Sequence, residues 1–191
     1  MAKILVFDNY DSFTYNLVQY VQRTGNHTLD VFLNDEISLD EMEEYDGIII
    51  SPGPGLPSDV KLLEPMITRY KSTKRIFGVC LGQQAIAEAF GGKLQNLNSV
   101  FHGVASEIII SNPKHYIFEG LPDRIAGGRY HSWIVENRSL PACLRVEAVD
   151  NDGQIMALSH TGFDICSVQF HPESVLTPLG INIIENWLRK F

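Results

Sequence analysis

Along the first half of the chain, short apolar runs alternate with stretches in which apolar residues recur every three or four positions. The runs are Ile4–Phe7, Leu29–Leu33, Gly47–Ile50 and Ile76–Val79, and each reads as a strand. Between the first two, Asp11-Ser12 predicts a helix cap, followed by Phe13, Leu17, Tyr20 and Val21 at helical spacing. Between the third and fourth, Lys61–Lys71 carries Leu62, Leu63, Met66, Ile67 and Tyr70 on one side. Gln83 to Phe90 reads as a further helix, stopped by Gly91-Gly92. Strand–helix–strand alternation of this kind predicts right-handed crossovers and a parallel sheet covered on both faces.

From Ala105 onward the texture changes. Ile108–Ile110, Leu144–Val149, Ile155–Leu158 and Cys166–Phe170 read as strands joined by turns such as Asn151-Asp152-Gly153, a hairpin signal. Thr177-Pro178 then predicts the cap of a last helix carrying Ile181, Ile184, Trp187 and Leu188. The expected architecture is a three-layer α/β sandwich, a single domain over residues 1–191, with antiparallel strands added in its C-terminal half.

Composition narrows the function rather than the fold. A net charge of −8 argues against a surface that tracks nucleic-acid phosphates, and 20% charged with 45% hydrophobic residues is ordinary for a globular enzyme without a membrane span. The run Ile4–Phe7 is too short for a signal-peptide core, so a cytoplasmic setting is expected. Three cysteines without close spacing fit a reducing compartment, and Cys143 and Cys166, in strand-like runs, read as core. The glycosylation patterns at Asn26-His27-Thr28 and Asn137-Arg138-Ser139 carry no weight without a secretory signal.

Cys80 stands apart. It falls between the strand Ile76–Val79 and the following helix, flanked by Gly78 and Gly82. An elbow there pushes the side chain clear of the sheet, and the helix N-terminus favours a thiolate; the two glycines allow a tight turn and let a substrate come close. A buried packing cysteine is the alternative. A nucleophilic thiol needs a base and a group to orient it. His171 offers the base at the carboxyl end of a strand, and Glu173 follows two residues on, able to hold one imidazole nitrogen. A turn histidine beside a helix-start glutamate is the plainer reading. Ser51-Pro52-Gly53-Pro54-Gly55 follows the strand Gly47–Ile50, and its stiff, open backbone suits a cup of N–H donors for an oxyanion, with Leu81 N–H as a second donor. It lacks the order of a phosphate-binding loop. A zinc site from Cys80, His171 and Glu173 finds no second cysteine or HExxH spacing to support it.

Together Gly78-Val79-Cys80-Leu81-Gly82-Gln83-Gln84, His171-Pro172-Glu173 and Pro52-Gly53-Pro54-Gly55 resemble the triad class of glutamine amidotransferases, and the similarity runs over essentially the whole chain. Asp8–Asn16 and Arg129-Tyr130-His131-Ser132-Trp133 further resemble the small subunits of anthranilate synthase and aminodeoxychorismate synthase. Two positions depart from the pattern: Gln83 where histidine is usual, and Val104 where His102-Gly103 is usually followed by lysine.

The resemblance implies a flavodoxin-like scaffold on which Cys80 attacks the side-chain amide of L-glutamine, His171 shuttles the proton and Glu173 orients it. It implies that Gly53, Pro54 and Gly55 line the glutamine site, that Gly55 and Leu81 supply oxyanion amides, and that Gln84, Ser132 and Trp133 grip the amino-acid end. Without it, Gln84 reads as a helix-surface residue, Ser132 as a cap and Trp133 as packing. The implied partner is a large chorismate-binding synthase subunit in a heterodimer or heterotetramer, which takes the ammonia. This chain would carry no cofactor and no metal; Mg2+ would belong to the synthase. A non-catalytic binding subunit on the same scaffold and a general cysteine hydrolase are the rival readings.

Overall fold

The computed structural model describes residues 1–24 and 27–191. In chain order the elements are β1 (Lys3–Asp8), α1 (Thr14–Arg23), β2 (Thr28–Leu33), β3 (Gly47–Ile50), α2 (Leu63–Tyr70), β4 (Arg75–Val79), α3 (Leu81–Ala89) and β5 (Leu94–Asn96). They continue through β6 (Val104–Ile110), β7 (Arg124–Arg129), β8 (Trp133–Val135), β9 (Leu144–Asp150), β10 (Ile155–His160), β11 (Ile165–Val168) and α4 (Gly180–Leu188). The glycosylation pattern that starts at Asn26 begins outside the described residues.

One sheet runs in the order β2-β1-β3-β4-β11-β10-β9-β6-β7, and β5 with β8 forms a separate antiparallel ribbon. From β2 to β11 the strands are parallel, and from β11 onward each pair is antiparallel. The alternation of side chains along the strands sorts the core into two layers. Ile4, Val6, Ile49 and Phe77 pack with Leu17 and Val21 of α1 and with Ile184 and Trp187 of α4. Leu5, Phe7, Ile48 and Ile50 pack with Met66 and Ile67 of α2 and with Ala85 and Ile86 of α3. Helices thus cover both faces, as the alternating pattern requires.

Several local expectations change. The Ser12 hydroxyl makes no cap bond; α1 starts after Phe13, whose N–H is taken by the Asp11 carboxylate at 2.8 Å. Thr177 caps nothing either. Its hydroxyl donates to the His171 carbonyl at 2.6 Å and accepts from the Gly128 N–H at 2.9 Å, so it ties the segment after β11 to β7. Strand β11 stops at Val168 rather than Phe170, and Ile181 on α4 is only half-buried while Ile183 fills the core. Cys166 is buried, whereas Cys143 sits half-buried in the turn before β9. Strands β5, β7 and β8 fall where no strand pattern is visible. The Asn151–Gly153 hairpin forms, with Gly153 at φ +75° and Asp150 Oδ1 accepting the N–H groups of Asp152 and Gln154.

Candidate active site

Three parallel strands end side by side, and each delivers one part of the site. Strand β4 delivers Cys80 at φ 52°, ψ −98°, a conformation that L residues rarely hold and that costs about 1–3 kcal/mol. The backbone is pinned there by the bond from Cys80 N–H to the Val168 carbonyl at 2.8 Å. The flanking glycines serve the chain rather than a substrate. A Cβ on Gly78 would come 2.6 Å from the carbonyl carbon of Gly82, and one on Gly82 would come 2.8 Å from the Ile50 carbonyl oxygen. The elbow therefore fits only because strand, helix and neighbouring strand meet without side chains between them.

Only 5% of Cys80 is exposed, yet the residue is not sealed in. It lines a cavity of about 240 Å3 together with Gly53, Pro54, Gly55, Leu81, Gln84, Tyr130, His131, Ser132 and Trp133. That set contains every residue that the resemblance assigns to the oxyanion and substrate positions. From β3, Ser51 accepts the Asn9 N–H on its hydroxyl (2.8 Å) and the Asn9 side-chain amide on its carbonyl (3.0 Å). Gly53 lies so close to Asn9 that a Cβ would stand 2.5 Å from the Asn9 Cβ, and Gly55 takes φ +76°. The Pro/Gly loop is thereby held as a rigid edge. Leu81 opens α3, so its N–H has no partner within the helix.

Behind the cavity stands His171. Its N–H bonds the Gly128 carbonyl at 2.9 Å, and its Nδ1 lies 2.7 Å from Glu173 Oε1, with both side chains buried. The remaining ring nitrogen, Nε2, is buried without a hydrogen-bond partner. Burial works against a charged imidazole here, but the sulfur of Cys80 and the carboxylate of Glu173 overcome it, and His171 holds its proton well above the ordinary histidine range. The rings of Tyr130 (4.9 Å between centroids) and Phe13 (6.1 Å) fix the imidazole plane from outside. A thiol, an imidazole and a carboxylate in this order can pass a proton from sulfur to nitrogen, with the carboxylate holding the tautomer.

Sequence reasoning missed a second polar cluster beside the first. Arg129, 2% exposed, donates to Asp150 Oδ2 at 2.7 Å, to Gln154 Oε1 at 2.7 Å and to His131 Nε2 at 3.1 Å. The Phe101 ring stacks 3.6 Å from the guanidinium. Burial, then the nearby Arg129 charge, push His131 down to about 3, so it faces the cavity neutral. Its neighbours Ser132 and Trp133 are set by backbone bonds: Leu97 N–H donates to the Ser132 carbonyl at 2.7 Å, and Gln84 Nε2 donates to the Trp133 carbonyl at 2.9 Å. Gln169 is also buried, against Cys80 and Gln84.

Of the two departures from the family pattern, Gln83 is fully buried and away from the cavity wall, donating weakly to the Ile155 carbonyl (3.4 Å) and accepting from Ser167 (3.3 Å). Val104 is exposed at the start of β6. A larger cleft, about 560 Å3, opens at the other end of the strands between Lys71, Lys74, Arg75 and Asp164, and holds no thiol. Among the described residues, no group of three or more His, Cys, Asp or Glu is placed to hold a metal ion.

A strained cysteine elbow at the carboxyl edge of a parallel sheet, backed by a buried His–Glu pair, defines an α/β protein built for thiol chemistry on a small ligand. Residues 5–191 match the family described as Glutamine amidotransferase class-I. The chain belongs to that family. It is 43% identical over 190 residues to the aminodeoxychorismate/anthranilate synthase component 2 of Bacillus subtilis, covering 98% of this chain and 96% of that one. It is 42% identical over 191 residues to the bifunctional protein TrpGD of Thermotoga maritima, covering 98% of this chain but spanning only 32% of that protein. The crystal structure of a putative GMP synthase component from Thermoplasma acidophilum superposes with a TM-score of 0.87 at 26% identity, over 99% of this chain and 93% of the other.

Proposed function

We propose that the chain hydrolyses L-glutamine through a thioester on Cys80 and hands the ammonia to a chorismate-using synthase subunit. Cys80 Sγ attacks the side-chain amide carbon while His171 takes the thiol proton and passes it to the leaving ammonia. The oxyanion of the tetrahedral intermediate accepts from the N–H groups of Gly55 and Leu81, and water then releases glutamate. Both N–H groups of the Gln84 side chain are engaged, by the Trp133 carbonyl and Gln169 Oε1, so Gln84 offers the substrate ammonium its own Oε1. Ser132 and Trp133 contribute the facing wall.

The observation that carries this reading is the Cys80 elbow on the wall of a cavity backed by the His171–Glu173 pair. The cavity, about 240 Å3, is smaller than the roughly 300–1,000 Å3 of pockets for drug-sized ligands, which supports a single amino acid over an extended peptide. The assignment to a synthase rests on near full-length similarity to the Bacillus component, whose name carries both the anthranilate and the aminodeoxychorismate reaction. Anthranilate synthesis is the first assignment, and aminodeoxychorismate synthesis, or service to both, is the second. Exposed Tyr10, Tyr15 and Val175 lie on the segments that carry Phe13 and His171, and exposed Val104 pairs with Arg129 next to Tyr130, which supports a partner seated over this end of the sheet. The partner, in a heterodimer or heterotetramer, would hold the Mg2+; this chain needs no cofactor for the chemistry described. The reading fits a cytoplasmic setting, and among the described residues no helix is long and apolar enough to cross a membrane.

The test is the reconstituted complex with the host's synthase subunit. Cys80→Ser is expected to abolish product formed from glutamine and to leave product formed from added ammonia intact. Loss of both activities, or survival of both, would refute the assignment.

A further inference from the structure

Beyond the three residues of the proton relay, the structure assigns Gln169 as a further catalytic residue: its amide donates to the Cys80 sulfur and ties that sulfur to Gln84. This rests on the glutaminase reading above. Gln169 is fully buried just past the end of β11, with its backbone N–H fixed on the Met156 carbonyl at 2.8 Å. Its Nε2 stands 3.5 Å from Cys80 Sγ, within the range of an N–H···S bond, and its Oε1 accepts from Gln84 Nε2 at 3.4 Å. The amide therefore has one hand on the attacking atom and one on the side chain that would hold the amino-acid end of the substrate.

The chemistry requires such a donor. A thiolate only 5% exposed has lost most of its water, and a buried charge is costly unless hydrogen bonds replace the water. A protonated His171 beside it offsets part of that cost, but its charge is lost when it protonates the leaving ammonia. Gln169 has no proton to give up at neutral pH and can keep donating to sulfur throughout. The arrangement also has a direction. Substrate drawing on Gln84 Oε1 polarises its N–H groups, which strengthens the bond to Gln169 and in turn that amide's bond to sulfur.

The two functions of the amide separate by substitution. Gln169→Glu keeps an oxygen acceptor for Gln84 but removes the donor to sulfur. Gln169→Met, unbranched and of similar length, removes both. With the full chain, in complex with its synthase, the expected result for Gln169→Glu is a kcat for glutamine lowered about ten- to a hundred-fold, the range for a lost hydrogen bond to a charged group, with KM changed less than about threefold. For Gln169→Met both kcat and KM worsen. The second measurement needs no glutamine: iodoacetamide is reacted with the native protein, and the rate at Cys80 is read by peptide mass mapping against Cys143 as internal control. Both variants are expected to slow alkylation of Cys80 at least tenfold and leave Cys143 unchanged.

A role in packing alone would lower the melting temperature while the folded protein kept wild-type kcat and alkylation rate, and that result overturns the assignment. If Gln169→Glu fails to fold, Gln169→Met carries the alkylation test by itself. If the wild-type protein does not turn over glutamine, the proposed function falls, and the alkylation rates still decide whether Gln169 acts on the sulfur.

Discussion

Replacing Arg129 by methionine would remove a charge at the centre of the cluster beside the cavity. Arg129 and Asp150 are 2% and 4% exposed, and Asp150 Oδ2 has the guanidinium as its partner at 2.7 Å. Methionine restores most of the side-chain volume, so the main effect is electrostatic: the carboxylate keeps its two backbone bonds on Oδ1 but loses the cation. Breaking a buried pair from one side costs about 3–5 kcal/mol, out of a total stability of roughly 5–15 kcal/mol. For a chain of this length that is on the order of 10 °C in melting temperature. His131 also loses the donor that fixes its Nε2 as acceptor, so the wall of the cavity loosens and KM for glutamine rises.

The assay is urea unfolding of the wild type, Arg129→Met, Asp150→Asn and the double variant, read as a double-mutant cycle. Asp150→Asn in the Arg129→Met background removes the orphaned charge and is expected to restore about 1 kcal/mol or more, as in buried-pair replacements. If Arg129→Met costs less than about 1 kcal/mol, or if the second substitution makes matters worse by an additive amount, the pair does not behave as a desolvated ion pair and the reasoning fails.

Acid sensitivity should trace in part to His131. Because its folded value is depressed from 6.5 to about 3, the stability it contributes is complete above pH 6.5 and is lost as pH falls toward 3. The slope is about 1.4 kcal/mol per pH unit, or about 2 kcal/mol by pH 5. His131→Gln is expected to flatten the stability curve between pH 7 and 5 by that amount, and parallel curves would contradict it. Gly82→Ala tests the elbow. In an open helix the change gains up to about 1 kcal/mol, but here the new methyl meets the Ile50 carbonyl at 2.8 Å, so a loss of about 1–3 kcal/mol with slower alkylation of Cys80 is expected. A more stable Gly82→Ala protein with unchanged reactivity would remove the steric explanation.

Much of this was legible in the residues themselves. The parallel strands β1, β3 and β4 are near-continuous apolar runs, because both faces are covered and no alternation is needed. Cys80, His171 and Glu173 could be picked out because each signal is local, an elbow between glycines and a His-Pro-Glu at a strand end. Strand β7 was hidden because Gly127 and Gly128 leave it without the side chains that a strand pattern needs. In the fold those glycines admit Phe170 and Ser174, whose atoms would stand about 3.0 Å from added Cβ atoms. Close approach explains them. The Arg129–Asp150–His131 cluster and Gln169 were hidden for a different reason. They depend on β11 lying next to β4 and on β9 and β10 following it, an order that periodicity does not encode. The Thr177 hydroxyl shows the same limit, since its spacing suits a cap while its bonds run to β7 and His171.

The proposed function rests on a cysteine that sits on a strained turn and would meet a single amino acid in a small cavity. The most direct measurement is labelling of the native protein with an electrophilic glutamine analogue, followed by peptide mass mapping of its three cysteines. Stoichiometric modification of Cys80, blocked by excess glutamine and abolished in His171→Asn, is the predicted result. Modification of the half-buried Cys143 in preference to Cys80, or labelling that glutamine does not slow, would contradict it.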